Sequence, residues 1–179
     1  MKFIQAKHYK KATNRPIDLI VIHTMEAGEY NNTAENVAAW FAGKNAPIAS
    51  CHYCLDGDSI VQCVKDEDIA YHCKGANDNS IGFEHAGYAK QTDKEWHDDY
   101  SKNLLELSSE LCAKLCIKHN IPVKFINAAG LINKERGITT HAEVTKAFAI
   151  PGGHSDPGKN FPMNEYIIMV ESYIAFPNE

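Results

Sequence analysis

The chain has no run of about 18 consecutive apolar residues, so no segment reads as a membrane-spanning helix. Its first residues, MKFIQAKHYKKATNRP, carry basic side chains with no uninterrupted apolar stretch behind them, and a secretory leader is therefore not expected. Positive charge is not in excess either. Eighteen Lys and Arg against 23 Asp and Glu give a formal net charge of -5. That balance removes the broad positive field with which a sequence-independent nucleic-acid binder replaces counterions on phosphates. Internal repeats, low-complexity tracts and linkers are also missing, which excludes solenoids and disordered tails. What is present is 179 residues, 44% hydrophobic and 23% charged. We expect a single domain over residues 1–179 with its core in about 17–175, made in the cytoplasm, monomeric, and binding neither nucleic acid nor the membrane interior.

Six cysteines stand at 51, 54, 63, 73, 112 and 116. Disulfide frameworks belong to smaller secreted chains, so reduced thiols are expected. Cys51, Cys54, Cys63 and Cys73 supply the residue types of a four-cysteine zinc site. Against that, residues three apart on a strand face opposite sides, and 49–64 reads as a hairpin. Cys112 and Cys116, spaced i and i+4, read as small apolar groups on a helix, and nothing in the sequence fixes a thiolate environment for a nucleophilic Cys73.

Along the chain, IDLIVIHTM (17–25) is a continuous apolar run rich in β-branched residues, the pattern of a strand buried on both faces, with His23 at its carboxyl end. Residues 31–45 predict a helix with Thr33 as N-cap and Val37, Trp40 and Phe41 on one face. ASCHYCLDGDSIVQCV (49–64) predicts a hairpin about its DGD turn, and SIGFEHAGY (80–88) a further strand. Thr92 to Glu95 is a capping box, after which Trp96, Tyr100, Leu104, Leu107, Leu111 and Leu115 follow at helical spacing. VKFIN predicts a short strand, AAGLINKERG a loop, GITTH (137–141) a strand end, and the last helix begins near Pro162 with Met163, Ile167, Val170 and Ile174 on one face. Strands alternate with helices, so the fold class is α/β.

Nine histidines call for explanation. Any one alone is more often a hydrogen-bonded core or surface residue than a ligand. His23 and His141, however, each end a strand-like segment, and Asp156 lies in a Gly/Pro-rich loop shortly after His141. Residues at the carboxyl ends of strands in an α/β sheet converge on one edge. Three ligands with one position open are the pattern of a catalytic zinc site, whereas a structural site is closed by four.

The pieces IVIHT, ASCHYCLDGDSIVQCV, AYHCKGANDNSIGFE and GITTHAEV…DPGKNFP stand in an order that resembles the zinc-dependent N-acetylmuramoyl-L-alanine amidases of the phage T7 lysozyme, AmpD and peptidoglycan-recognition-protein superfamily. The resemblance spans about residues 17–175 and implies a central mixed β-sheet flanked by α-helices. It also implies Zn2+ on His23, His141 and Asp156, with Glu84 as the base, His72 lining the substrate cleft, and His154 where many members place a lysine that stabilises the oxyanion. His154 is at the same time a competing third ligand two residues from Asp156. Cys51 stands where the T7-like members carry a tyrosine facing the site. His52 is expected beneath the site, and His85 and His97 as structural or surface residues. The implied activity is hydrolysis of the bond between N-acetylmuramic acid and L-alanine in peptidoglycan, as in a single-domain phage endolysin that lyses the host wall. A cytoplasmic amidase recycling muropeptides and a non-catalytic peptidoglycan-recognition module are the alternatives.

Overall fold

The computed structural model describes residues 1–176. Eight strands form two sheets: β1 (Lys2–Phe3), β2 (Tyr9–Lys10), β3 (Leu19–Thr24), β4 (Tyr53–Leu55), β5 (Ile60–Gln62), β6 (Ile69–Ala70), β7 (Ser80–His85) and β8 (Gly137–Thr140). Six of them make the central sheet in the order β1-β5-β4-β7-β3-β8, and β2 pairs with β6 apart from it. The sheet is mixed, because β4 and β5 are the arms of the expected hairpin and run antiparallel, while β4, β7, β3 and β8 are mutually parallel neighbours. Helices α1 (Thr33–Ala42), α2 (Asp93–Trp96), α3 (Asp99–His119), α4 (Ala128–Ile132), α5 (His141–Ala147) and α6 (Met163–Ala175) flank it. The α/β reading and the central mixed sheet are borne out.

Period-two alternation decides which side each strand residue serves. Ile20 and Ile22 of β3, Ile81 and Phe83 of β7, and Tyr53 and Leu55 of β4 pack into one core with Leu104, Leu115, Tyr166 and Val170 of α3 and α6. Each such large side chain, fully buried, contributes roughly 1.5–3 kcal/mol of transfer free energy. The alternate residues point to the opposite side. There Leu19 and Val21 meet Leu131 and Val144 beneath α4 and α5, and Cys54 and Val61 meet Ala34, Ala38 and Phe41 of α1.

Several local expectations are corrected. Thr33 is the first residue of α1 rather than its cap; Asn32 holds the cap position, and the Thr33 hydroxyl donates to the Gly28 carbonyl at 2.7 Å. The Thr92–Glu95 capping box is present, yet it opens only the four-residue α2, and Asp98 caps α3 anew by accepting from Ser101 N. VKFIN makes a single bridge, Phe125 to Ile138, instead of a strand. AAGLI is helix α4 rather than loop, capped by the Asn127 side chain accepting from Gly130 N. Local side-chain capping turns out to break and start helices that apolar spacing alone does not resolve.

Candidate metal centre

The register of the sheet sets up the site. Cys54 of β4 pairs with Glu84 of β7, Glu84 pairs with His23 of β3, and Ile22 pairs with Thr140, so His141 follows as the next position on the β8 side. Glu84 and His23 thus lie on one row of one face, at the carboxyl ends of parallel strands. There Thr140 ends β8 and caps α5, its hydroxyl accepting from Glu143 N, which fixes His141 at the start of that helix. His141, expected at a strand end, is therefore the first residue of a helix that runs to Ala147. The loop beyond returns to the same point because Ala142 N donates to the Asp156 carbonyl at 3.0 Å.

Three side chains meet there. His23 Nδ1 lies 3.1 Å from His141 Nδ1 and 3.0 Å from Asp156 Oδ2, and His141 Nδ1 lies 3.2 Å from Asp156 Oδ1. His23, His141 and Asp156 are all buried. A tetrahedral ion with ligand bonds of about 2.0–2.1 Å holds its ligand atoms roughly 3.3–3.4 Å apart, so the three already stand near coordination spacing. Cys73 is close by, and with His23 and His141 it forms a group whose ligand atoms lie within 4.8 Å of one another and which can hold a metal ion. Burial pushes the Cys73 thiol up, and the carboxylates of Asp156 and Glu84 push it the same way.

Hydrogen bonds behind His23 determine which of its nitrogens carries a proton. Ser80 Oγ donates its one proton to the Ala76 carbonyl at 2.6 Å, so the 3.1 Å contact between Ser80 Oγ and His72 Nε2 requires the proton on Nε2. Burial, joined by the nearby His23 and His52 rings, keeps the His72 imidazole well below its ordinary pKa and so neutral. Its Nδ1 is then an acceptor, and the 3.0 Å contact with His23 Nε2 places the His23 proton on Nε2. His23, itself lowered by burial, presents a bare Nδ1 toward Asp156. Burial works to raise the Asp156 carboxyl, but hydrogen bonding to His141 works against it and holds it well below the usual carboxylate range. A bare nitrogen 3.0 Å from a carboxylate oxygen is a contact between two acceptors, and a cation shared between them is what makes it favourable. The donor set fits a zinc ion.

Glu84 stands beside this centre without touching it. Its Oε2 is buried and has no hydrogen-bond partner among the described residues. Burial raises its carboxyl well above the ordinary value, and the Asp156 carboxylate raises it further. Gly82, two residues earlier on the same face, leaves room for His72; a Cβ there would meet the His72 ring at 2.6 Å. His52 lies beneath, fully buried, its ring 5.5 Å from that of His72 and its Nδ1 accepting from Gly82 N. On the other face of β7, His85 donates from Nδ1 to the His23 carbonyl, which leaves Nε2 to accept from Ser108. His97 is on the surface against Glu165.

The centre opens into a cleft of about 840 Å³. Its far wall is apolar, built from Val37, Trp40, Phe41, Ile48 and Ile150. Trp40, expected from helical spacing to share a buried face with Phe41, is 56% exposed, and Ile48 is 82% exposed. His154 lines the same cleft, its side chain 65% exposed, stacked on the His141 ring at 4.2 Å between centroids with Nδ1 3.6 Å from Asp156 Oδ1. The structure thus brings His23, His141 and Asp156 together, sets Glu84 beside them, keeps His154 within ligand reach of His141 and Asp156, and puts His72 behind His23 in the lining of the same cleft. The part played by Ser80, the place of Cys73 beside His23 and His141, and the exposure of Trp40 were not found from sequence. The alternation Ser80, Gly82, Glu84 along one strand face is the signal that points to the first.

A model of the N-acetylmuramoyl-L-alanine amidase family matches residues 13–159. N-acetylmuramoyl-L-alanine amidase A of Achromobacter lyticus is 27% identical over 176 residues, covering 92% of this chain and 89% of its own length. Among solved structures, the Staphylococcus aureus hydrolase AmiA in complex with its ligand superposes with a TM-score of 0.73 at 16% identity, over 98% of this chain and 83% of that one. AmpD superposes with a TM-score of 0.66 at 18% identity, over 94% and 93%. Both structural likenesses concern the fold.

Proposed function

The chain belongs to the N-acetylmuramoyl-L-alanine amidase family, and from that premise we infer that it hydrolyses the amide bond between N-acetylmuramic acid and L-alanine in peptidoglycan, using zinc held by His23, His141 and Asp156. The observation that carries this reading is the convergence of two imidazole nitrogens and a carboxylate at 3.0–3.2 Å on the rim of the cleft. Zinc bound there supplies Lewis-acid polarisation of the amide carbonyl and a water acidified toward neutral pH.

The remaining work falls to side chains of this chain. Glu84, beside the centre with a free carboxylate oxygen, takes the proton of the attacking water and delivers it to the departing L-alanine nitrogen. Its raised carboxyl suits both halves of that exchange. His154, whose side chain lines the cleft and is 65% exposed, donates to the oxyanion of the tetrahedral intermediate. His72 orients His23 instead of reading polar substrate atoms, since both its ring nitrogens are taken up by His23 and Ser80. The apolar wall about Trp40 and Ile48 receives the less polar parts of the glycan–peptide junction.

Purified sacculi treated with the protein should release lactyl-bearing glycan and peptides that begin with free L-alanine. Chelation should stop the release and zinc restore it. Cleavage that ignores the chelator would remove zinc from the reading, and cleavage elsewhere in the peptide would remove the amidase. We propose intact wall as the substrate, as for a lytic enzyme; faster turnover of soluble muropeptides than of sacculi would replace that with a recycling role.

A further inference from the structure

A second group of metal-type donors lies on the same face of the sheet and takes no part in the amidase reading. Cys51 Sγ is 3.4 Å from Cys54 Sγ, and Cys54 Sγ is 3.7 Å from Cys63 Sγ. All three residues are fully buried. Sequence spacing had placed Cys51 and Cys54 on opposite sides of a strand. The structure corrects that, because β4 begins only at Tyr53 and the chain bends at His52, so strand alternation does not reach back to Cys51. Cys51 lies beside Cys54 across that bend. Cys73, the fourth member of the sequence pattern, is instead beside His23 and His141.

We propose that Cys51, Cys54 and Cys63 form a second metal site, one that takes a thiophilic divalent cation of the zinc class and is structural where the His23 centre is catalytic. Sulfur atoms on a tetrahedral ion with bonds of about 2.3 Å lie roughly 3.8 Å apart, so the three sulfurs need to part by only a few tenths of an ångström. Soft donors without a carboxylate or imidazole among them select zinc-class or cuprous ions over calcium and magnesium. The surroundings decide between the two soft classes. Ala34, Ala38, Phe41, Val61 and Val64 enclose the group, and three thiolates on a divalent ion leave one negative charge there where a monovalent ion would leave two. Binding releases three protons to solvent, one from each thiol, as three metal–sulfur bonds form. The Tyr53 carbonyl, which accepts from Cys51 at 3.2 Å, and the Val61 carbonyl, 3.8 Å from Cys63 Sγ, are the oxygens that border the group. An ion there ties the segment before β4 to the end of β5.

Cobalt titration of the fully reduced protein under anaerobic conditions tests this. Wild type should bind two Co2+ per chain and show sulfur-to-cobalt charge-transfer absorption in the near ultraviolet. Cys54→Ala should bind one and lose that absorption, while His23→Ala should bind one and keep it. Should Cys54→Ala fail to fold, Cys63→Ser carries the same expectation, and the wild-type spectrum decides without any variant. Absence of the charge-transfer band at saturation would overturn the proposal, and so would its survival in Cys54→Ala, which would assign it to Cys73. One Co2+ per chain, bearing the band and indifferent to His23→Ala, would uphold the cysteine site and sink the zinc reading of the histidine centre.

Discussion

The two donor groups sit on one face of one sheet, Cys54 and His23 flanking Glu84 in register, roughly 10 Å apart at ordinary strand spacing. They differ in everything that separates a reactive site from a fixed one. The histidine centre draws its ligands from positions 23, 141 and 156, brought together where parallel strands end, and it opens into the cleft. The cysteine group comes from thirteen consecutive positions, 51–63, within a single hairpin and lies sealed under α1. Catalysis requires a coordination position that substrate can reach, and only the first group has one. Helix α1 serves both, covering the sulfurs with Ala34 and Ala38 while its Val37 and Trp40 line the cleft.

Removing a ligand from the open group should have the largest effect. His23→Ala should lose zinc at the centre and reduce release of L-alanine-terminated peptides to that of chelated wild type, checked by metal analysis beside the hydrolysis assay. Full activity in that variant would end the reading. Next comes Glu84→Gln, which should keep zinc and lower turnover about 10²–10⁴-fold, the range for a lost general base. The pH profile adds a sign. A base works ionised, and burial together with Asp156 raises the Glu84 carboxyl. The acid limb of kcat/KM should therefore lie above the value of about 4.3 expected for an ordinary glutamate. A limb at or below that value would take Glu84 out of the role.

Behind the open group, Ser80→Ala should weaken zinc binding about 10–100-fold, because His72 loses the acceptor that fixes its tautomer and with it that of His23. Competition with a chromophoric chelator measures this independently of turnover. The cysteine group supplies the internal control, since its cobalt absorption should be unchanged. An unaltered zinc affinity would mean that His23 holds its tautomer without the chain through His72.

Legibility in the sequence followed the same division. Ligands at strand ends were readable because a buried apolar run such as LIVI, ended by His23, fixes both the strand and its carboxyl end. Glu84 and the hairpin were readable through alternation and the DGD turn. What escaped depends on contacts between distant segments or on a local bend. The bend at His52, just outside β4, changes the side on which Cys51 lies, and no periodicity announces it. Ser80 matters only because Ala76 takes its proton. Trp40 fits a buried helical face by spacing, yet the cleft leaves that flank of α1 open.

The smallest expected effect on turnover is at the closed group, and there the two regions are most sharply separated. Cys54 lies on the row of Glu84 but touches neither the cleft nor the histidine centre, so Cys54→Ala should hydrolyse sacculi within about twofold of wild type, as expected of a substitution outside a coupled network. Its consequence should appear in stability instead. A ligand that binds the folded chain alone stabilises it by about 2.7 kcal/mol when present at 100 times its Kd. Zinc should therefore raise the melting temperature of His23→Ala, through the cysteines, and should raise that of Cys54→Ala through the histidine centre. In the double variant it should raise neither. A zinc-dependent shift that persists in the double variant would place the stabilising ion at some third set of ligands and dissolve the contrast between an open and a closed site.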